Sequence, residues 1–389
     1  MKRALFVGYY PNNVEPYLRS FFQGLIHSIA EKGIECTVVA PVSVSHYKSQ
    51  VRSIPYETYD KTKSGVKIKV YHPRYISYSS KKIGMIKTGY FSEKAFQRSA
   101  LKCASHLSNK FDFVYGHFFL TGGLAAVKIG RELNIPSFIA YGECDYESQI
   151  LNDYGKIFPH DIDGLTGVIS VSTQNTNELK RLGIIPGVPI LTAPNATDLS
   201  MFYRKNKMEC RNKLGIPEDV FLIGFVGGFI ERKGDKRLLE AVNQIDDAYV
   251  GFAGKGDDPP TGEKVVFCKA LDHSAISDFL NAIDVFCLPT LSEGSCNAIV
   301  EAMACGVPII SSNLPFNDDV LDSSNSIRVD PKSVKAIKFA IEELKCSYDK
   351  RMALSHNSLE KALSFDIKNR AKCILNFIYD LSNIEDDIR

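Results

Sequence analysis

Residues 288–312 read "LPTLSEGSCNAIVEAMACGVPIISS" and hold two glutamates, Glu293 and Glu301, on either side of a small-residue turn. The run leading into it, "DVFCLPT", is short and apolar enough for a buried strand, and "VPIISS" reads as the next one. Between them Ile299, Val300, Met303 and Ala304 recur at helical spacing. Ser295 or Asn297 suits the N-cap, and Gly306 suits the left-handed position past the C-terminus. The spacing predicts strand, glycine-containing loop, helix and strand, with Glu293 in the loop and Glu301 inside the helix. Such units leave backbone N–H groups at the helix N-terminus, where an anion can bind. A carboxylate beside that anion is repelled by phosphate but can accept hydrogen bonds from hydroxyls carried next to it, which describes a nucleotide sugar. The plainer alternative is one solvent-facing helix glutamate and one turn glutamate.

The same alternation extends over the whole chain. Strand-like runs in the first half are "ALFVGYY", "CTVVAP", "VKIKVYH", "FDFVYGHF", "SFIAYGE", "GVISVS" and "PILTAP"; in the second they are "VFLIGFVGG", "YVGFAG", "KVVFC", "DVFCLPT", "VPIISS" and "SIRVD". Helical patterns such as "EPYLRSFFQGLIHSIAEKG" and "GDKRLLEAVNQID" fill the gaps. This order predicts an α/β chain with two Rossmann-like, doubly wound parallel sheets, and ligands at the carboxyl ends of their strands, in a cleft between the two domains. The polar stretch 199–219 marks the break. The expected domains are 1–198, with a C-terminal helix at about 371–389 packing back on it, and 199–370.

Composition narrows the class. The chain has 389 residues, 44% of them hydrophobic and 24% charged, and a formal net charge of +2, which supplies no global attraction for nucleic acid or membrane. The start, "MKRALFVGYYPNN", has a basic flank, but Pro11 follows too soon for a signal peptide, and no stretch approaches the roughly 18 to 20 apolar residues of a membrane-spanning helix. Ten cysteines without a C-x-x-C point to buried, reduced thiols and a cytoplasmic protein.

With these features in hand, "LSEGSCNAIVEAMACGVPIISS" resembles the E-x7-E signature of family-four glycosyltransferases, which have the GT-B architecture and retain anomeric configuration. The resemblance also covers "FVGGFIERKGDKRLLEA", "FAGKGDD", "APNATDLSMF", "GVISVSTQNTNELKRLG" and "DFVYGHFFLTGG", in the family's order. It implies that Glu301 accepts from ribose hydroxyls and Glu293 contacts the donor sugar. Lys233 of "RKG" is implied to neutralise the diphosphate, and the backbone of Gly294, Ser295, Cys296 and Asn297 to meet the sugar and phosphates. Gly227 and Gly228 would line the same site.

Three departures from the family's pattern are visible. Gly228 stands where relatives commonly carry an arginine, so Arg232 either supplies that cation or the clamp is weaker. The usual glycine-rich loop after the first strand is "YYPNN", which would leave phosphate approach there to Asn12 or Asn13. Tyr141, in "AYGECD", replaces a common histidine; with Glu143 and Asp145 it would orient an acceptor or simply cap a loop. His117, in "YGHFF", resembles the first-domain histidine near the reacting centre, against the commoner fate of a structural hydrogen-bonder.

Breaking a sugar–diphosphate bond puts negative charge on the leaving oxygens, so the main lever is positive potential from Lys233 and the helix N-terminus. No metal and no cofactor are expected; the single D-x-D, Asp161 to Asp163, lacks a phosphate loop and reads as loop structure. Retention can use an enzyme nucleophile or same-face attack, and the resemblance favours the second. Two other readings are a non-catalytic nucleotide-sugar-binding module and a Rossmann-type oxidoreductase, although no G-x-G-x-x-G follows the first strand.

One charge asymmetry remains. Between residues 61 and 102, Lys61, Lys63, Lys67, Lys69, Arg74, Lys81, Lys82, Lys87, Lys94, Arg98 and Lys102 stand against Glu93 alone, interleaved with Tyr71, Tyr75, Ile76, Tyr78, Ile83, Met85, Ile86, Tyr90 and Phe91. Lone charge runs are usually solvated faces, but the aromatic interleaving suits an anionic membrane surface rather than nucleic acid. The combined expectation is a cytoplasmic, peripheral, metal-independent retaining hexosyltransferase. It would move sugar from a UDP-sugar to a lipid-linked saccharide in cell-envelope polysaccharide assembly.

Overall fold

A computed structural model describes residues 1–78, 82–83, 86–107, 110–144, 146–152 and 154–382. The chain divides into two compact units, one made of Met1–Pro194 together with the segment from Lys368 onward, the other of Asn195–Ile367.

The first unit is built on an eight-stranded sheet. Its main strands are β1 (Arg3–Val7), β2 (Glu35–Val39), β3 (Glu57–Lys61), β4 (Lys67–Tyr71), β5 (Phe113–His117), β6 (Ser137–Tyr141), β7 (Leu165–Ser170) and β8 (Ile190–Thr192). They lie in the order β8-β7-β6-β5-β1-β2-β4-β3. All neighbours are parallel except β3, which pairs antiparallel with β4 along the edge. The central strands are apolar throughout because helices cover both faces, as in Phe113–His117, where every residue is buried. β3, "ETYDK", has no apolar run to announce it; its residues alternate between exposed and half-buried, as suits an edge. The direction of winding reverses between β1 and β5, so a ligand site is expected past Val7 and His117. The helix Ile367–Ser382 completes this unit, with Phe377 6.2 Å from Phe138 and the Lys2 ammonium 4.1 Å above the Tyr379 ring.

The second unit carries β9 (Phe221–Val226), β10 (Ala248–Ala253), β11 (Val265–Lys269), β12 (Val285–Leu288), β13 (Ile309–Ser312) and β14 (Ser326–Val329), all parallel, in the order β11-β10-β9-β12-β13-β14. Winding reverses between β9 and β12, where Ile223 pairs with Val250 on one side and Val285 on the other. One hydrophobic cluster, including Phe225, Phe252, Phe279, Phe286 and Met303, fills the unit. The chain ends leaving and re-entering it are pinned by a parallel bridge between Thr197 and Asp366.

Candidate functional site

In the second unit the loops after β9 and β12 carry the expected donor residues. β9 runs into Gly227 and Gly228, and the loop after β10 presses directly against it. A Cβ on Gly254 would lie 1.8 Å from the Gly227 carbonyl oxygen, so only glycine fits there. Phe229 N donates to Lys255 O at 2.9 Å and fixes the pair of loops. A short 3-10 turn, Glu231–Lys233, follows and leads into the helix Asp235–Asn243.

That turn is tied to the loop after β12. Leu291 N donates to Arg232 O at 2.8 Å, and Thr290 Oγ1 to the same oxygen at 3.2 Å. The tie brings Lys233 and Arg232 to Glu293. Lys233 Nζ lies 2.6 Å and Arg232 Nη1 2.7 Å from Glu293 Oε1, on which Thr290 Oγ1 also donates at 2.9 Å. Burial alone would lower the Lys233 pKa, but Cys296, in the alkaline range where its thiolate forms, and Glu293 with its hydrogen bond outweigh it and raise the value. Lys233 is therefore a held cation, and Arg232 adds a second beside it. Cys296, whose thiol burial pushes up to about 11, stays neutral.

The helix is Asn297–Ala304, with Glu301 inside it and Gly306 in the left-handed region at φ 68°. Neither expected N-cap is used. Cys296 holds the cap position without a side-chain bond, and the Ser295 hydroxyl instead accepts from Asn195 N at 3.1 Å. Asn195 Nδ2 donates to Ser295 O at 3.0 Å, so Asn195 fixes the loop on which Gly294 and Ser295 sit. Asn297 becomes the first helical residue, and its Oδ1 is buried without a hydrogen-bond partner among the described residues. Glu301 is buried, its Oε1 3.0 Å from His273 Nε2. Burial would depress the imidazole, but the Glu301 bond and charge, with Asp198 behind them, hold its pKa above the ordinary value. Sequence reading missed both Asn195 and His273. Asn195 lies in "APNATDLSMF", one of the stretches that carry the resemblance, whereas nothing local marked His273.

In the first unit the carboxyl ends of β5 and β6 bring His117 and Glu143 to one place. After His117 the chain turns through Phe118, which has a left-handed φ of 64°, into a π-helical turn, Phe118–Gly123, and then the helix Leu124–Leu133. That turn sits hard on the sheet: a Cβ on Gly122 would fall 2.2 Å from Val7 O. The turn's first amides cradle Glu143, whose Oε1 accepts from Phe119 N at 2.7 Å and Oε2 from Gly142 N at 3.1 Å. Burial still prevails and raises the Glu143 carboxyl to about 7. His117 is buried, stacked on Phe22 at 4.4 Å, and its Nδ1 has no partner among the described residues. Burial, with Arg19 and Arg370 nearby, pulls its pKa well below the ordinary value, so the ring is neutral.

Three expectations need correction here. Asn12 Oδ1 accepts from Val14 N at 2.8 Å and Glu15 N at 3.0 Å, its Nδ2 donates to Tyr47 at 3.2 Å, and Asn13 Nδ2 donates to Ser53 O at 2.8 Å. Both amides shape their own loop instead of offering donors to phosphate. Tyr141 is fully buried, its hydroxyl donating to Glu178, so its side chain is not open to an acceptor. Asp145 lies outside the described residues. Asp161 is buried in the short helix Pro159–Ile162 and paired with Lys94 at 3.1 Å, a structural arrangement.

The basic segment is partly spent on structure. Lys94 is taken by Asp161, Lys87 donates to Leu151 O, and Arg74 to His72 O and Ile54 O. Lys81 and Met85 lie outside the described residues. Ile76, Tyr78, Tyr90 and Phe91 are exposed, and Ser92 joins the two halves by bonding Tyr78 N at 2.7 Å. No described helix is long and apolar enough to cross a membrane.

Comparison with known proteins places these features. Residues 206–361 match the family model described as glycosyl transferases group 1. The chain is 25% identical over 354 residues to the teichuronic acid biosynthesis glycosyltransferase TuaC of Bacillus subtilis, covering 88% of each chain. Among solved structures it is similar to sucrose-phosphate synthase from Thermosynechococcus elongatus, with a TM-score of 0.77 and 17% identity over 99% of this chain and 100% of that one. It is also similar to Anabaena HepE in complex with UDP-glucose, with a TM-score of 0.70 and 14% identity over 98% and 100%. The group 1 match over the second unit, the TuaC relationship and the shared two-unit α/β architecture support a glycosyltransferase with the GT-B fold.

Proposed function

We propose that this chain is a retaining hexosyltransferase that takes sugar from a UDP-sugar and passes it to a lipid-linked saccharide during cell-envelope polysaccharide assembly. The observation that carries this reading is the convergence of Lys233 and Arg232 on Glu293 at the point where the second sheet's winding reverses. Two fixed cations are what a departing diphosphate needs, and they supply the charge stabilisation that other transferases obtain from a metal. Arg232 takes the place of the arginine that Gly228 lacks.

In this reading Glu301, bonded by His273, accepts from ribose hydroxyls, and Asn297 Oδ1, without a partner among the described residues, offers an acceptor beside the helix N-terminus. Same-face attack, in which the leaving phosphate takes the acceptor's proton, asks for no strong protein base. A neutral His117 fits that demand, since it can accept or donate one hydrogen bond without gaining charge. The UDP carrier and the polysaccharide context rest on likeness to HepE, solved with UDP-glucose, and to TuaC.

Thermal-shift screening of UDP-, GDP- and ADP-sugars, followed by NMR of the product anomer, tests the reading. Stabilisation by a UDP-sugar with a retained anomer is expected, and full activity is expected in chelator. Donor binding without transfer to any acceptor would leave a binding module, while an inverted product or strict dependence on a divalent ion would overturn the mechanism.

A further inference from the structure

Five described non-glycine residues have left-handed backbone, and two of them, Arg19 (φ 54°) and Phe118 (φ 64°), touch each other. Such backbone is strained, and the strain persists only where its surroundings hold it. The Arg19 guanidinium lies 4.6 Å from the centre of the Phe118 ring, and the His117 ring lies 4.7 Å from the same centre. Phe21 closes the group, 5.3 Å from His117 and 6.3 Å from Phe118. Arg19 is also the residue preceding the helix Ser20–Ala30, whose first amides have no side-chain cap.

Arg19 has no ion-pair partner among the described residues, and its Nε is buried without a hydrogen-bond partner among them. Glu143 attracts it electrostatically. That carboxylate, however, already accepts from Phe119 N and Gly142 N, and its raised pKa leaves it partly protonated at neutral pH. Arg370, which is buried, lies near enough to His117 to lower its pKa; its Nε donates to Pro194 O at 2.8 Å, and its Nη2 has no partner among the described residues. The buried His117 Nδ1 is unpartnered as well. Open donors around a neutral imidazole at the carboxyl edge of a sheet form a receptor for an oxyanion, because a half-buried guanidinium whose buried Nε lacks a partner gains a charge-assisted contact when an anion arrives.

We propose that Arg19, held over Phe118 beside His117, binds a phosphoryl group of the acceptor. The proposal rests on the transferase reading for the identity of the ligand, but its test does not. Phe118 orients the guanidinium plane, Arg19 offers a two-pronged donor to two phosphoryl oxygens, and His117 Nδ1 completes the contact.

The test is calorimetric titration of inorganic pyrophosphate into the full chain carrying Lys233→Ala and Arg232→Ala, which removes the cations of the second unit. Binding is expected, with Arg19→Met weakening it at least tenfold. Arg19→Lys, which carries the same backbone strain, should recover part of the affinity and guards against a misfolded Met variant. Sodium glucuronate in place of pyrophosphate should bind at least tenfold more weakly. Unchanged binding in both Arg19 variants, no binding in the background protein, or a preference for glucuronate would overturn the phosphoryl site. A chain that binds pyrophosphate through Arg19 but transfers no sugar would keep this inference and sink the transferase reading. Transfer with an acceptor KM unmoved by Arg19→Met would do the reverse.

Discussion

Lys233 Nζ and Arg232 Nη1 share one oxygen, Oε1 of Glu293, at 2.6 and 2.7 Å. The carboxylate neutralises both cations in the free protein; on the proposed reading an incoming diphosphate would take them over and release Glu293 toward the sugar. Glu293→Ala is expected to lower the melting temperature of the free protein, since it leaves a mostly buried Lys233 unpaired, at a cost of about 3 kcal/mol. Donor should restore much of that loss, while turnover falls at least a hundredfold. Lys233→Ala should instead abolish the thermal shift by donor. Matching profiles for the two variants would mean that Glu293 has no role separate from the lysine.

The pair His273 and Glu301 gives a prediction with a defined sign. The folded pKa of His273 is raised, so its contribution to stability is fully present below the ordinary histidine range and is lost as pH rises through the folded value. A double-mutant cycle with His273→Gln and Glu301→Gln should yield about 1 kcal/mol of coupling at pH 6 and near zero at pH 9. Glu301→Ala should weaken donor binding by about 1 to 3 kcal/mol with little change in turnover at saturation. Coupling that does not vary with pH would show that the imidazole acts only as a neutral hydrogen-bond partner.

Glu143 works in the opposite direction. Its carboxyl is raised to about 7 in the folded chain, so the folded state holds a proton that the unfolded state has released between the ordinary glutamate range and pH 7. Stability from this group is therefore highest in acid and declines as pH rises to 7, by a total of about 3 kcal/mol. Denaturant unfolding of wild type and Glu143→Gln at pH 5 and pH 8 measures it: the wild type should lose more on going to pH 8 than the variant does. Parallel losses would place the Glu143 pKa in the normal range.

Sedimentation with liposomes tests the first unit's exposed Ile76, Tyr78, Tyr90 and Phe91 as a membrane-facing group. Binding to anionic vesicles at low salt is expected, weakened by high salt and reduced severalfold by Phe91→Asp with Ile76→Asp. Lys94→Glu is a poor probe of this surface because Lys94 holds Asp161. Retention of binding in the double variant would move the docking surface elsewhere.

Local pattern in the sequence was enough for the strand and helix alternation, for Gly306 ending the helix, and for Glu293 in a loop with Glu301 in a helix, because periodicity and capping act within a few residues. The edge strand Glu57–Lys61 escaped it, since an edge needs no apolar run, and so did the π-helical turn after His117. Side-chain partners were decided by distance in space. Asn12 was expected to meet phosphate until its own loop claimed the amide, and Tyr141, expected either to orient an acceptor or to cap a loop, is enclosed by Glu178 and the core. His273 meets Glu301 across 28 positions and Arg232 meets Glu293 across 61, contacts that follow from how helices pack on a parallel sheet. The sequence by itself determined which elements form and which residue types the strand ends would present. Only the tertiary structure decided which charges find an ion-pair partner, as Lys233 does, and which find none among the described residues, as for Arg19, because burial and pairing belong to the packed chain as a whole.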